Sequence, residues 1–248
     1  IKYTYDSAGN LKTVTDARGV RHTYFYDALN RPLKRSHSAV AGIPGTTIPT
    51  WNYDAGVNGT GQLTSITDSS GSTQFSYDQQ GRLVRKVQTT KVGTASLSHT
   101  LGYTYDQTGK LTQTTYPSGA QLTTLYGIDG RPNEIQLNGT TLIRDIAYQA
   151  FGAVKRWIWS NNQTHTRQFD MDGRLVRYPR GNSLRTVHFD EAGRLAQYLH
   201  TDTPALNRSF MHDGLDRLTS EVGGTSMSLW TYDANGNIQT YLRHNESG

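Results

Sequence analysis

Seven residues near the start of the chain, Tyr5-Asp6-Ser7-Ala8-Gly9-Asn10-Leu11, set a pattern that returns along its length: an aromatic, Asp, two free positions, Gly, a polar residue, an aliphatic. Close copies carry Tyr77, Asp78 and Gly81; Tyr105, Asp106 and Gly109; Phe169, Asp170 and Gly173; Phe189, Asp190 and Gly193; and Tyr232, Asp233 and Gly236. Looser copies fill the gaps. Tyr26-Asp27 has Asn30 at the glycine position, and Tyr53-Asp54 reaches Gln62-Leu63 only after four extra residues. Tyr126 keeps Gly130 but has Gly127 in place of Asp, and Tyr148 keeps Gly152 but has Gln149. His212-Asp213 has Asp216 in place of Gly. The eleven copies start between residues 5 and 232, a mean step of about 23 residues. A period of that size marks a repeat architecture and constrains the fold more than any single residue. It predicts one array over residues 1–248, with no separate second domain.

Asp-x-x-Gly is turn chemistry. Asp at the first position of a type I turn accepts nearby backbone N–H groups, and Gly at the fourth takes a positive φ. Followed by a bulge, such a turn joins two antiparallel strands. Asn30 tolerates the left-handed conformation better than most residues. Residues two before each motif aromatic share its strand face. They are Tyr3, Tyr24, Trp51, Phe75, Tyr103, Thr124, Ile146, Arg167, Val187, Phe210 and Trp230, mostly aromatic or β-branched. These pairs should stack from repeat to repeat as aromatic ladders in the core. The alternative is an exposed platform for sugars, for which Trp51, Trp157, Trp159 and Trp230 are the candidates. The polar motif position is often basic, at Arg31, Arg82, Lys110, Arg131, Arg174, Arg194 and Arg217. Neighbouring repeats should align these into a stripe that pairs with the turn aspartates, or else into a surface for an acidic glycan.

Between the motifs lie strand-like runs such as Leu11 to Thr15 and Val20 to Tyr26, separated by Asp16-Ala17-Arg18-Gly19. One repeat is therefore two strands and two turns. Asn138-Gly139 is the strongest two-residue hairpin signal among the return turns. Three stretches break the rhythm: the loop-like Ala39 to Thr50, a longer hairpin tip at Lys91 to Thr100, and Thr201 to Asn207. No run of ten residues has helical periodicity. The expected fold is all-β, about 22 antiparallel strands in a continuous meander. So many strands in one sheet must curl or split, which points to a spiral or shell.

The net charge of +5 is spread without a basic run, which speaks against nucleic acid. Without cysteine there is neither a disulfide scaffold nor a Cys-based zinc site. No apolar run approaches the roughly 20 residues of a membrane span. Gly-x-Ser-x-Gly, His-Glu-x-x-His and the phosphate-loop pattern are all missing, and the eight histidines are scattered. Asp170-Met171-Asp172-Gly173 begins like a calcium loop but lacks the spaced ligands and terminal Glu, and it falls in phase with the turn motif. No enzyme activity, cofactor or metal is expected. The chain opens at Ile1, almost inside a motif, as a fragment of a longer protein would.

The Tyr-Asp-x-x-Gly-[Asn/Arg/Lys]-Leu motif at this spacing resembles the YD repeat of the Rhs family, from Tyr3 to Ile238. That family includes bacterial Rhs polymorphic toxins, the C component of Tc insecticidal complexes and the shell of animal teneurins. The resemblance implies a long β-sheet wound into a hollow cocoon. In the toxin members the cocoon encloses a C-terminal toxin domain, which would be this chain's partner. Those shells end in Asp-Pro-x-Gly-Leu motifs where the toxin is cleaved free; no such motif occurs here. The implied role is a non-catalytic shell segment of a secreted or cell-surface bacterial protein. The alternative is a YD-repeat surface that binds carbohydrate or another cell. Unpaired strands at the ends of a fragment would also favour self-association.

Overall fold

The fold follows from turns that are set locally and strands rich in Thr, Tyr, Val and Leu, residues that suit a pleated, half-buried surface. A computed structural model describes residues 1–41, 48–150, 152–181 and 183–245. Part of the Ala39 to Thr50 insertion, together with Phe151 and Asn182, lies outside the described residues. The protein is all-β. Among the described residues its one helical element is the three-residue 3-10 turn Pro204–Leu206, inside the stretch read from sequence as irregular.

Two compact units make up the chain: Ile1–Leu125 with Gln136–Thr140, and Tyr126–Ile135 with Thr141–Gly248. In the first, eleven antiparallel strands from Lys2–Tyr5 to Gln121–Tyr126 pair in the order in which they occur. In the second, Thr140–Tyr148, Val154–Trp159 and Thr164–Thr166 pair in succession, and a separate ladder of eight strands runs from Gln168–Phe169 to Ile238–Asn245. The meander is thus interrupted where sequence alone suggested continuity. Arg167 is the point of exchange. Its backbone N–H still donates to the Lys155 carbonyl at 2.7 Å, whereas Gln168 already pairs with Arg177.

The longer hairpin tip expected at Lys91 to Thr100 is present: Leu83–Val92 and Ala95–Tyr105 stay paired to Val92↔Ala95, and Gly93-Thr94 make the turn. Thr, Ser and Leu satisfy a ladder as readily as a loop when each has a cross-strand partner.

The sheets are thin. The accessible surface is 16341 Å², against roughly 11,000 Å² expected of a compact monomer of this mass. Among the described residues, Val20 and Trp157 are the buried hydrophobic residues, at 4% and 9% exposure. The face that carries Tyr26, Tyr53, Tyr77 and Tyr105 is half-buried, while Phe25 and Leu125 on the other face are exposed.

Backbone crowding is tightest at Gly71. A Cβ on Gly71, which has φ +147°, would stand 1.9 Å from the Thr89 carbonyl oxygen in the neighbouring strand. Gly71→Ala is therefore expected to cost about 3 kcal/mol or more, by overpacking and local distortion. Gly214→Ala, which would meet nothing within 4 Å, should stay within about 0.5 kcal/mol of the parent chain. Urea denaturation of the two variants side by side checks this. Equal midpoints would refute it.

Candidate functional site

The motif residues converge at the turns, and each turn is built from its own backbone first. In the first copy Gly9 N–H donates to the Asp6 carbonyl at 3.1 Å, and Asp6 N–H donates to Asn10 O at 2.9 Å. The Asp6 carboxylate then accepts from the N–H groups of Ala8 and Asn10, both at 2.9 Å. Gly9 has φ +82°, and the register slips by one residue after Thr4, so turn and bulge occur together as expected. The same arrangement recurs at Asp27, Asp78, Asp106, Asp170, Asp190, Asp213 and Asp233. Gly81, Gly109, Gly130, Gly173, Gly193 and Gly236 take positive φ, and Asn30 and Asp216 take it in their place at 61° and 62°.

The degenerate copies still close. At Gly127 the turn bond is 2.9 Å, and Asp129 supplies the missing carboxylate by accepting from Arg131 N–H at 3.0 Å. At Gln149 the bond from Gly152 lengthens to 3.4 Å. Asp54, itself at φ +64°, closes its long loop by accepting from Gly61 N–H at 2.6 Å.

The turns are then linked to one another. Arg31, Arg82, Arg174, Arg194 and Arg217 each donate from Nε to the aspartate of their own turn at 2.7 Å. Several of the same guanidinium groups also reach the next turn. Arg31 pairs with Asp54, Arg82 donates to Asp106 O, Arg194 to Asp213 O and Asp216, and Arg217 to Asp233 O. Arg131 reaches Gln149 O and Ala150 O, and Asn10 reaches Asn30 at 2.8 Å. Successive motif turns are two strands, or roughly 9.5 Å, apart. A long side chain spans that distance, and two aromatic rings do not.

That spacing corrects the aromatic ladders expected from sequence. The guanidinium of one repeat lies over the motif aromatic of the next: Arg31 over Tyr53, Arg82 over Tyr105, Arg131 over Tyr148, Arg174 over Phe189 and Arg217 over Tyr232, at 4.3 to 5.1 Å. A second link went unseen in the sequence. The hydroxyls of Tyr26, Tyr77, Tyr105, Tyr148 and Tyr232 donate to the carbonyls of Leu11, Leu63, Leu83, Pro132 and Leu218, the residues that follow the preceding turn. The common offset of 14 to 22 residues was the available signal. Tyr77→Phe should cost about 0.5–1.5 kcal/mol, the worth of one hydrogen bond. Thermal melting of the variant checks it, and an unchanged midpoint would remove this hydroxyl from the linkage.

Among the four tryptophans, Trp51 and Trp230 are half-buried, Trp230 against Tyr241 at 5.4 Å. Trp157 is buried and Trp159 is 39% exposed, edge-on to it at 5.7 Å. No group of three or more His, Cys, Asp or Glu among the described residues could hold a metal ion.

The RHS repeat family model matches residues 5–39 and 58–95, stretches that hold the copies at Tyr5, Tyr26 and Tyr77. The solved structure of TcdB2–TccC3 without its hypervariable C-terminal region superposes with a TM-score of 0.85 over 99% of this chain and 15% of that one, at 17% identity. Residues 5–39 and 58–95 are thus RHS repeats, and the fold is that of the Tc toxin shell structures. Two further structures place the Rhs array in the same fold: TcdB2–TccC3 (TM-score 0.84, 17% identity, 98% of this chain and 15% of that one) and the Tc holotoxin pore of Photorhabdus luminescens (0.83, 17%, 98% and 15%). The chain spans about 15% of the length of the structures it matches. No curated protein sequence matches it.

Proposed function

We propose that the chain is a section of wall, a non-catalytic repeat module of a secreted or cell-surface protein that confines a toxin segment of the same polypeptide. The observation that carries this reading is the linkage of turn to turn. The residues that define the motif, Asp, Arg and Tyr, are consumed in holding each repeat to its neighbours. Such a motif selects for continuity of a barrier, because a barrier works only where no joint opens. The similarity in fold to TcdB2–TccC3 structures supports the same view.

Limited proteolysis of the full-length parent polypeptide tests it. A segment beyond the repeats should resist protease while the repeats are intact, and become sensitive when Arg194→Ala and Arg217→Ala open the joints. Equal cleavage of that segment inside and outside the parent would refute confinement. Saturable binding of the isolated array to glycans, lost in Trp159→Ala, would move the reading to a carbohydrate-binding surface. Association of the array through its terminal strands would appear as concentration-dependent sedimentation.

A further inference from the structure

Arg167 occupies the place where other repeats carry an aromatic or β-branched residue, two before the motif aromatic. The motif arginines described above each have a carboxylate or carbonyl partner. Arg167 has no carboxylate or carbonyl bonded to its guanidinium among the described residues. Its guanidinium carbon lies 4.8 Å from the centre of the Trp157 ring. His165 stacks on the same ring, with centroids 3.9 Å apart and planes 13° from parallel. Three nitrogens of this cluster, Trp157 Nε1, His165 Nε2 and Arg167 Nε, are buried without a hydrogen-bond partner. Buried polar groups are nearly always satisfied, so three together are a strong anomaly.

A cavity of about 340 Å³ opens beside them, within the size range of small-molecule sites. Its walls include Ile135, Ile143, Ile146, Val154, Trp157 and Arg167. The walls are apolar, and one cation without a counter-ion stands among them. A sugar would leave its hydroxyls unpaired against isoleucine. A dianion would be only half neutralised. The complement is an apolar body that ends in one negative charge, carried by a planar group that the guanidinium fork can grip at two points.

We propose that this cavity binds a small apolar monocarboxylate, with its carboxylate on Arg167 and its hydrocarbon part among the isoleucines and Trp157. Titration calorimetry on the whole chain with 4-phenylbutyrate and octanoate tests this, with 4-phenylbutyramide as the neutral control. The acids should bind saturably, and the amide about tenfold or more weaker, the worth of one charge-assisted hydrogen bond. Arg167→Gln should reduce the acid to the level of the amide, and Arg167→Lys should restore part of the difference. Ile143→Trp, which fills the cavity and leaves Arg167 in place, should abolish both. No saturable heat from either acid, equal binding of acid and amide, or unchanged acid affinity in folded Arg167→Gln would each overturn the proposal. Should Arg167→Gln fail to fold, the comparison of acid with amide on the parent chain decides alone.

Discussion

Trp157→Ala is expected to destabilise the second unit by about 3–5 kcal/mol, the usual cost of removing a large buried aromatic. The expectation rests on how little else is buried. In a sheet this thin few side chains are enclosed, and Trp157 is the larger of the two buried hydrophobics among the described residues. It touches His165 face-on, Trp159 edge-on and the Arg167 guanidinium. Its loss would leave a void beside a cation that has no other close partner. Trp159→Ala, at an exposed position, should cost at most about 1.5 kcal/mol, the part carried by the ring contact. Urea unfolding followed by circular dichroism separates the two. A Trp157→Ala loss below about 1 kcal/mol would mean that the cluster is not a core at all.

Acidification should unfold the array in two stages. His200 is 3% exposed, and loss of solvation lowers its pKa below 6.5, with Arg185, Arg180 and Arg208 adding charge repulsion. Arg185 Nε donates to His200 Nε2 at 3.1 Å, which requires that nitrogen to be unprotonated. His165 is lowered by desolvation and by Arg167. For both, the unfolded chain takes the proton first, so stability is full above about pH 6.5 and declines as the pH falls below it. The second stage belongs to the turns. Asp27, Asp106 and Asp190 are held below 3.8 chiefly by the backbone N–H of Arg31, Lys110 and Arg194. Asp16 and Asp54 are lowered first by the side chains of Arg18 and Arg31, and Asp233 by Asn237. In Asp6, Asp78, Asp170 and Asp213 reduced solvation pulls upward, and the turn hydrogen bonds outweigh it. These carboxylates stabilise the fold above about pH 3.8, and that contribution disappears as the pH drops through their lower folded values. Thermal melts between pH 8 and pH 2 should show a shallow decline and then a steep one. A midpoint that stays level down to pH 3 contradicts the first stage, and one that stays level to pH 2 contradicts both. His200→Gln should flatten the upper decline alone.

The turns were legible because their chemistry is local. Asp, Gly and the residue after Gly lie within five positions, and each bond closes inside that window. Even Asn30 and Asp216 follow the same rule, since short polar side chains tolerate left-handed φ. The basic stripe was legible as well, because the motif repeats in phase. The tyrosine hydroxyl links were hidden: they depend on which carbonyl of the adjacent strand faces the ring, a matter of register. The break at Arg167 was half visible. Its misfit in the row of aromatic positions could be read, but the change of strand partner could not, since that depends on competition between Lys155 and Arg177 for neighbouring backbone.

The link between turns has an evolutionary side. Several copies present to their successors the same socket that they fill in their predecessors: a carbonyl for the tyrosine hydroxyl, and a guanidinium for the ring. A duplicated or deleted copy therefore meets compatible surfaces on both sides without compensating substitutions elsewhere. Phe189 shows that the socket tolerates loss of the hydroxyl where the arginine remains, with Arg174 over its ring. Array length becomes a quantity that unequal recombination can adjust in steps of one repeat, and a lineage can resize such a structure as simply as it copies DNA.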